Sequence, residues 1–263
     1  MGPGLISARR TGTEAAMIEQ VSLLQYGLVA LCALLAGTVG GIAGYGTGLL
    51  MPLVLVPIVG AEPVVPIIGL SALLTNGSRL IAFRGDLDAR RALLVGSMAL
   101  PTCMLGAYGY TFLTGRGAAL TIGTFLILMV PARLLLKRLR VRLAGGGLAA
   151  AGAGYGFLVG GTAGSGVVLL LILMASGLNG RAVIATDAVV SLVLGIAKSG
   201  VFQAFGALPA SSWIMALIIG ASATPGAFIA KRLTRALPVH IHNGILDAAI
   251  MCGGVLLVAQ GLR

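Results

Sequence analysis

Eight stretches of nearly unbroken apolar residues run along the chain: Val21–Ala43, Val64–Phe83, Ala92–Phe112, Ala118–Leu136, Leu148–Ala163, Ala182–Phe205, Ser211–Ala230 and Gly244–Leu262. Each is near the length of about 20 residues at which a helix spans a bilayer. Polar and basic residues gather between them. Two further apolar runs are too short to span: Leu49–Val59 stops at Gly60 and carries Pro52 and Pro57, and Val167–Ser176 stops at Gly177. At about 1.5 Å per residue these reach halfway across the hydrocarbon layer. The pattern predicts an all-α polytopic membrane protein.

Each short run follows a glycine cluster, GGIAGYGTG at 40–48 and GGTAGSG at 160–166. Gly40, Gly41, Ala43, Gly44 and Gly46 align with Gly160, Gly161, Ala163, Gly164 and Gly166, and further on Pro101 aligns with Pro225. The chain therefore divides into a polar N-terminal tail (1–20), a first repeat (21–136), a basic linker (137–147) and a second repeat (148–263). Each repeat holds about four full helices plus a glycine-broken half-helix. If the short helix only dips in and returns, with four crossings per half, the repeats are parallel; if it completes a crossing, they are inverted. Loop charges favour inversion. Arg84–Arg91 is charged where its counterpart Gly206–Ala210 is not, and Lys231–Arg235 is basic where Ala107–Thr111 is neutral.

A helix broken inside a membrane frees backbone groups that protein or an aqueous cavity must satisfy. A half-helix start presents unpaired N–H groups and a partial positive charge, and glycine lets a ligand approach them. Gly44, Tyr45, Gly46, Thr47 and Gly48 in one half, with Gly164, Ser165 and Gly166 in the other, are thus candidate parts of an anion cradle. The ladder Gly152/Gly156/Gly160 and the pair Gly37/Gly41 read instead as small residues that let helices pack closely.

Ionisable residues within spans are costly and usually face a cavity or a partner. Asp187 and Lys198 lie eleven positions apart, close to three turns, and so share a helix face. Arg79 occupies nearly the same place in the first half as Lys198 does in the second. A cation from each half suits a small anion, although long basic side chains can also snorkel to the headgroups. Asp187 can serve the site, carry a coupling proton, or begin a helix. Ser71, Thr75, Asn76 and Ser78, with Thr186 and Ser191 in the second half, form polar stripes that either line a pathway or bond between helices.

Composition and charge narrow this further. Hydrophobic residues make up 58% of the 263, charged residues only 10%, and the mean hydropathy is +1.05. A soluble domain would carry roughly a quarter charged residues. The net charge of +11 comes from loop clusters such as Arg133/Lys137/Arg138/Arg140/Arg142, which orient helices with basic loops in the cytoplasm. No nucleic-acid partner is expected. Cys32, Cys103 and Cys252 sit in spans without metal or disulfide spacing. His240 and His242 are expected in a loop with no third ligand, so neither a metal nor a cofactor is expected. An intramembrane serine hydrolase built on Ser165 would need a base within hydrogen-bond reach, and a non-transporting assembly protein is a further alternative.

The chain resembles the sulfite exporter TauE/SafE family of permeases over about residues 25–262. GTVGGIAGYGTGLLMPLVLVPIVG and its echo GFLVGGTAGSGVVLLLILMASGL carry the likeness, joined by RAVIATDAVVSLVLGIAKSGVFQAFGALP and PGAFIAKRLTRALP. The resemblance implies a secondary transporter, not an enzyme, that moves sulfite, an organosulfonate or a related organic acid across a bacterial inner membrane. Two departures stand out. Gly46-Thr47-Gly48 and Gly166-Val167-Val168 replace the family's run of three glycines, and the second break lacks the usual following proline. The expected partners are a small anionic substrate and the lipid bilayer, with a coupling proton or sodium ion and a homodimeric arrangement also compatible.

Overall fold

The computed structural model describes residues 21–43, 47–139, 142–233 and 239–262, and all regular structure among them is helical. The helices are α1 (Leu23–Ala43), α2 (Thr47–Val59), α3 (Val64–Phe83), α4 (Ala89–Tyr110), α5 (Gly115–Leu139), α6 (Gly145–Gly161), α7 (Gly166–Ala175), α8 (Arg181–Ala204), α9 (Ala210–Leu233) and α10 (Val239–Leu262). A short 3-10 turn, Arg84–Asp86, joins α3 to α4. By length and apolarity, Val64–Ile81, Ala89–Tyr110, Gly115–Ala132 and Arg181–Ala204 can cross a membrane; α2 and α7 are among the shorter apolar helices. The anticipated N-terminal tail lies outside the described residues. His240 and His242 stand in the first turn of α10 and not in a loop, because the helix begins at Val239.

The short helices turn back. The Leu143 amide, just before α6, donates to the Ala175 carbonyl at the end of α7 at 2.9 Å. Chain entering through α6 therefore leaves through α7 on the face where it began. In the first half, Ile58 to Gly60 at the end of α2 line one cavity with Val21 and Tyr26 at the start of α1. Each half thus opens with a helical hairpin, and in the second half its bend is segment 162–165 of the glycine-rich cluster. Gly60 and Gly177, with φ of +79° and +93°, end the two return helices, a left-handed stop that glycine adopts without strain.

Three further helices complete each half, so five helices carry the chain from one face to the other. The packing shows the relation between halves. A Cβ added at Gly69 on α3 would meet Lys198 on α8, while Gly195 lies against Leu73, and Arg79 reaches Asp187. Rising numbers on α3 meet falling numbers on α8, so these equivalent helices run antiparallel. The same holds for α5 and α10, where Gly123 faces Gly254 and Arg116 bonds to the Gly261 and Leu262 carbonyls. Equivalent helices that pack antiparallel about a common centre are the arrangement of an inverted repeat. A helix that dips in and returns had been tied to four crossings and parallel repeats. Here it returns, but α6 is itself only the inward arm, so three crossings remain in the half and not four, and an odd number inverts the next repeat.

The halves interlock through glycine. Gly152 and Gly156 on α6 leave room for the α4 backbone, with hypothetical Cβ atoms only 3.1 Å from the Val95 carbonyl oxygen and 2.7 Å from the Ala99 Cα. Gly37 on α1 and Ala223 on α9 make the matching contact. The glycine ladder is therefore a packing device, as small-residue stripes are in membranes. One face of the bundle carries Arg84–Asp88, Leu143 and Ser176–Arg181, held together by Arg181–Asp86 at 3.3 Å and by Arg91 donating to the Ser176 carbonyl. The other carries Ala61, whose carbonyl accepts from the buried Tyr110 hydroxyl at 3.0 Å.

Candidate substrate-binding site

The two bends meet. A Cβ on Gly48 would lie 2.7 Å from the Gly164 Cα, and one on Gly164 would lie 2.8 Å from the Gly48 carbonyl oxygen. Gly164 also has φ +84°. Only glycine satisfies both demands at that position. Thr162 ends α6 in an extended conformation, and its hydroxyl donates back to the Leu158 carbonyl. Four residues later α7 begins, so its first amides, on Gly166 and Val167, have no acceptor inside their own helix.

Beside this junction lies a cavity of about 190 Å³ between α3, α6, α7 and α8. Of the candidate residues, Thr47, Gly48, Asn76, Arg79, Gly164, Ser165, Gly166, Asp187 and Lys198 all line it. Gly44, Tyr45 and Gly46 lie outside the described residues. Ser71, Thr75 and Ser78 of the first polar stripe are also on the wall, as is Ser191 of the second. Thr186 is not; its hydroxyl accepts from the Asp88 amide at 3.2 Å, tying α8 to the start of α4.

The charged groups differ in their partners. Asp187 is 3% exposed, and its Oδ2 sits 3.4 Å from Arg79 Nη1, while its Oδ1 has no hydrogen-bond partner. Lys198 is 6% exposed and donates to the Val159 carbonyl at 3.1 Å. Among the described residues it has no carboxylate within ion-pair distance. Gly69 makes room for its stem, since a Cβ there would lie 2.6 Å from the lysine Cε. Arg79 is therefore not a second Lys198: it is held by a carboxylate near one end of the α3–α8 contact, while Lys198 stands nearer the other with only a neutral partner.

Two hydroxyls complete the wall. Ser165 Oγ and Tyr155 OH are both 1% exposed, and although Tyr155 OH faces Ser165 and Ser191, neither hydroxyl makes a hydrogen bond of good geometry. Buried polar atoms are normally satisfied, and an orphan calls for an explanation such as a ligand or an ion. Three orphans on one cavity, with Asp187 Oδ1, point to something that enters it. Tyr155, Thr162 and Thr224 line the cavity without having been singled out in the sequence. Tyr155 had one available signal: a lone polar-tipped ring inside the glycine ladder, ten residues before Ser165.

A membrane-embedded bundle with interlocked halves and a polar chamber at the meeting of two broken helices is the architecture of a transporter. The family model for the sulfite exporter TauE/SafE matches residues 29–257, and the chain belongs to that family. No functionally curated protein and no solved structure matches it.

Proposed function

We propose that this protein is a secondary transporter for a small anion, with sulfite, organosulfonates and related organic acids as the substrate class, bound between the two halves and released alternately to either face. The single observation that carries this reading is Lys198, a buried cation lining the same cavity as the start of α7, with no carboxylate partner among the described residues. An unpaired charge costs several kcal/mol to bury, and an anion in the cavity would offset that cost. The amides of Gly166 and Val167, the Thr47 and Ser165 hydroxyls and Asn76 would complete its hydrogen bonds. Rocking of one half against the other would open the chamber to each side in turn.

Counted along the sequence and setting aside Arg79 and Lys198, 12 of the remaining 16 Lys and Arg residues belong to the α3–α4, α5–α6, α7–α8 and α9–α10 connections and the helix ends beside them, and 4 lie elsewhere. That asymmetry supports a cytoplasmic position for the basic face and an inner-membrane location in a bacterium. The test is flux into proteoliposomes over a panel of sulfite, sulfate, alkanesulfonates and small carboxylates. Saturable uptake of at least one is expected; no response across the panel would overturn the reading.

A further inference from the structure

The chamber's charges limit what it can hold. Among the described residues, three charged side chains line it: Lys198, Arg79 and Asp187. Asp187 engages Arg79 at 3.4 Å, so the pair is neutral as a unit and the three groups sum to a single positive charge. The two helix starts add oriented N–H donors but no net charge, because each helix keeps its negative end within the same protein. The free Asp187 Oδ1 adds a constraint of sign. It is a buried carboxylate oxygen without a donor, on the cavity wall, and it repels any second anionic group brought into the chamber.

We infer that the cavity is selective for singly charged oxyanions over doubly charged ones, and that Asp187 sets this limit by holding Arg79 and by presenting its own free oxygen. The inference rests on the anion-transporter reading and specifies its substrate class. A monoanion brings the chamber to neutrality. A dianion leaves one uncompensated negative charge in a low-dielectric interior, next to a carboxylate. Asp187 is thus the specificity residue, Lys198 the counter-ion, and Arg79 a cation held in reserve by its partner.

Methanesulfonate and sulfate make the cleanest probes. They share a tetrahedral sulfur and nearly the same volume, and differ by one charge. The full-length protein in detergent is titrated with each at constant ionic strength, and thermal stabilisation is read. The wild type is expected to half-saturate with methanesulfonate at a concentration at least about tenfold lower than with sulfate, the scale of one unmatched charge near a cation. Asp187→Asn frees Arg79 and raises the sum to two positive charges, so the preference reverses toward sulfate. Arg79→Gln lowers the sum to zero and weakens methanesulfonate by at least about tenfold, which keeps the test open should Asp187→Asn not fold.

Equal or better response of the wild type to sulfate, or an unchanged preference in Asp187→Asn, overturns the inference. If both anions then lose their effect in Lys198→Met, the anion site stands and only its charge limit falls. A wild type that responds to neither anion overturns both.

Discussion

The two hairpins share a plan and differ at their bases. In the second, α6 and α7 are joined by the Leu143–Ala175 backbone bond, and Arg91 donates to the Ser176 carbonyl at 3.0 Å while Asp88 holds the same guanidinium at 2.5 Å. In the first, the repeat alignment sets Met215 in the place of Arg91. Met215 lines a cavity of about 240 Å³ with Ile58, Val59, Tyr26 and Val21. Among the described residues, one hairpin is therefore fixed by directional polar bonds and the other by apolar contacts around a cavity. Apolar contacts slide at lower cost than hydrogen bonds break. If one hairpin moves when the chamber opens, α1–α2 has the weaker anchor and α6–α7 is the fixed wall. A pseudo-symmetric scaffold becomes a machine with distinct parts through a few side chains at its rim.

The largest effect belongs at the point where the hairpins touch. Gly164→Leu demands a side chain at φ +84°, a strain of about 1–3 kcal/mol, and drives it against the Gly48 carbonyl. Flux in proteoliposomes should fall to background while the protein remains inserted and extractable; retained flux would dissociate the contact from transport. Gly166→Ala makes the sharper comparison two residues on. A Cβ there meets nothing within 4 Å, and alanine favours a helix by about 1 kcal/mol over glycine. Stability should hold or rise, while the added methyl on the chamber wall weakens anion affinity by about tenfold, as read by ligand-induced thermal shift.

Smaller effects test the bases. Arg91→Met gives the second hairpin the residue of the first. The side chain is a third exposed, so its loss is worth about 1 kcal/mol, or a fall of about 2–4 °C in Tm for a chain of this size. Met215→Leu, at the matching place, should leave Tm nearly unchanged. The smallest effect is on pH. Asp88 caps α4, and the Arg91 amide, with its guanidinium, holds the Asp88 carboxyl below its usual 3.8. A depressed carboxyl stabilises the fold above its unfolded pKa, and that contribution is lost as pH falls through the folded value. Wild-type Tm should therefore drop below about pH 4 more steeply than that of Asp88→Asn, whose cap does not titrate.

Much of this was legible along the chain. Apolar length gave the spans, and α3 begins and ends at the residues its run predicts, Val64 and Phe83. The second glycine cluster marked the interruption between α6 and α7, where Gly164 takes a φ of +84° that glycine adopts without strain. The return of α7 was harder to see: periodicity carries no direction, and it took Leu143 bonding to Ala175 to reveal it. The Arg79–Asp187 pair was also hidden. Both residues were visible as intramembrane charges, but only the antiparallel crossing of α3 and α8 brings them together across 108 positions. Tyr155 was masked by its surroundings, since a glycine ladder reads as packing and its one polar tip is easily absorbed into that reading.

The central claim is that an anion rests against Lys198 where the two broken helices meet. Sulfite flux into proteoliposomes, compared between wild type and Lys198→Met at matched reconstitution, tests it most directly. The account predicts saturable uptake in the wild type and its loss in the variant, with the variant's thermal stability equal or higher because a buried unpaired charge has gone. Uptake of equal rate and half-saturation in both proteins would contradict it.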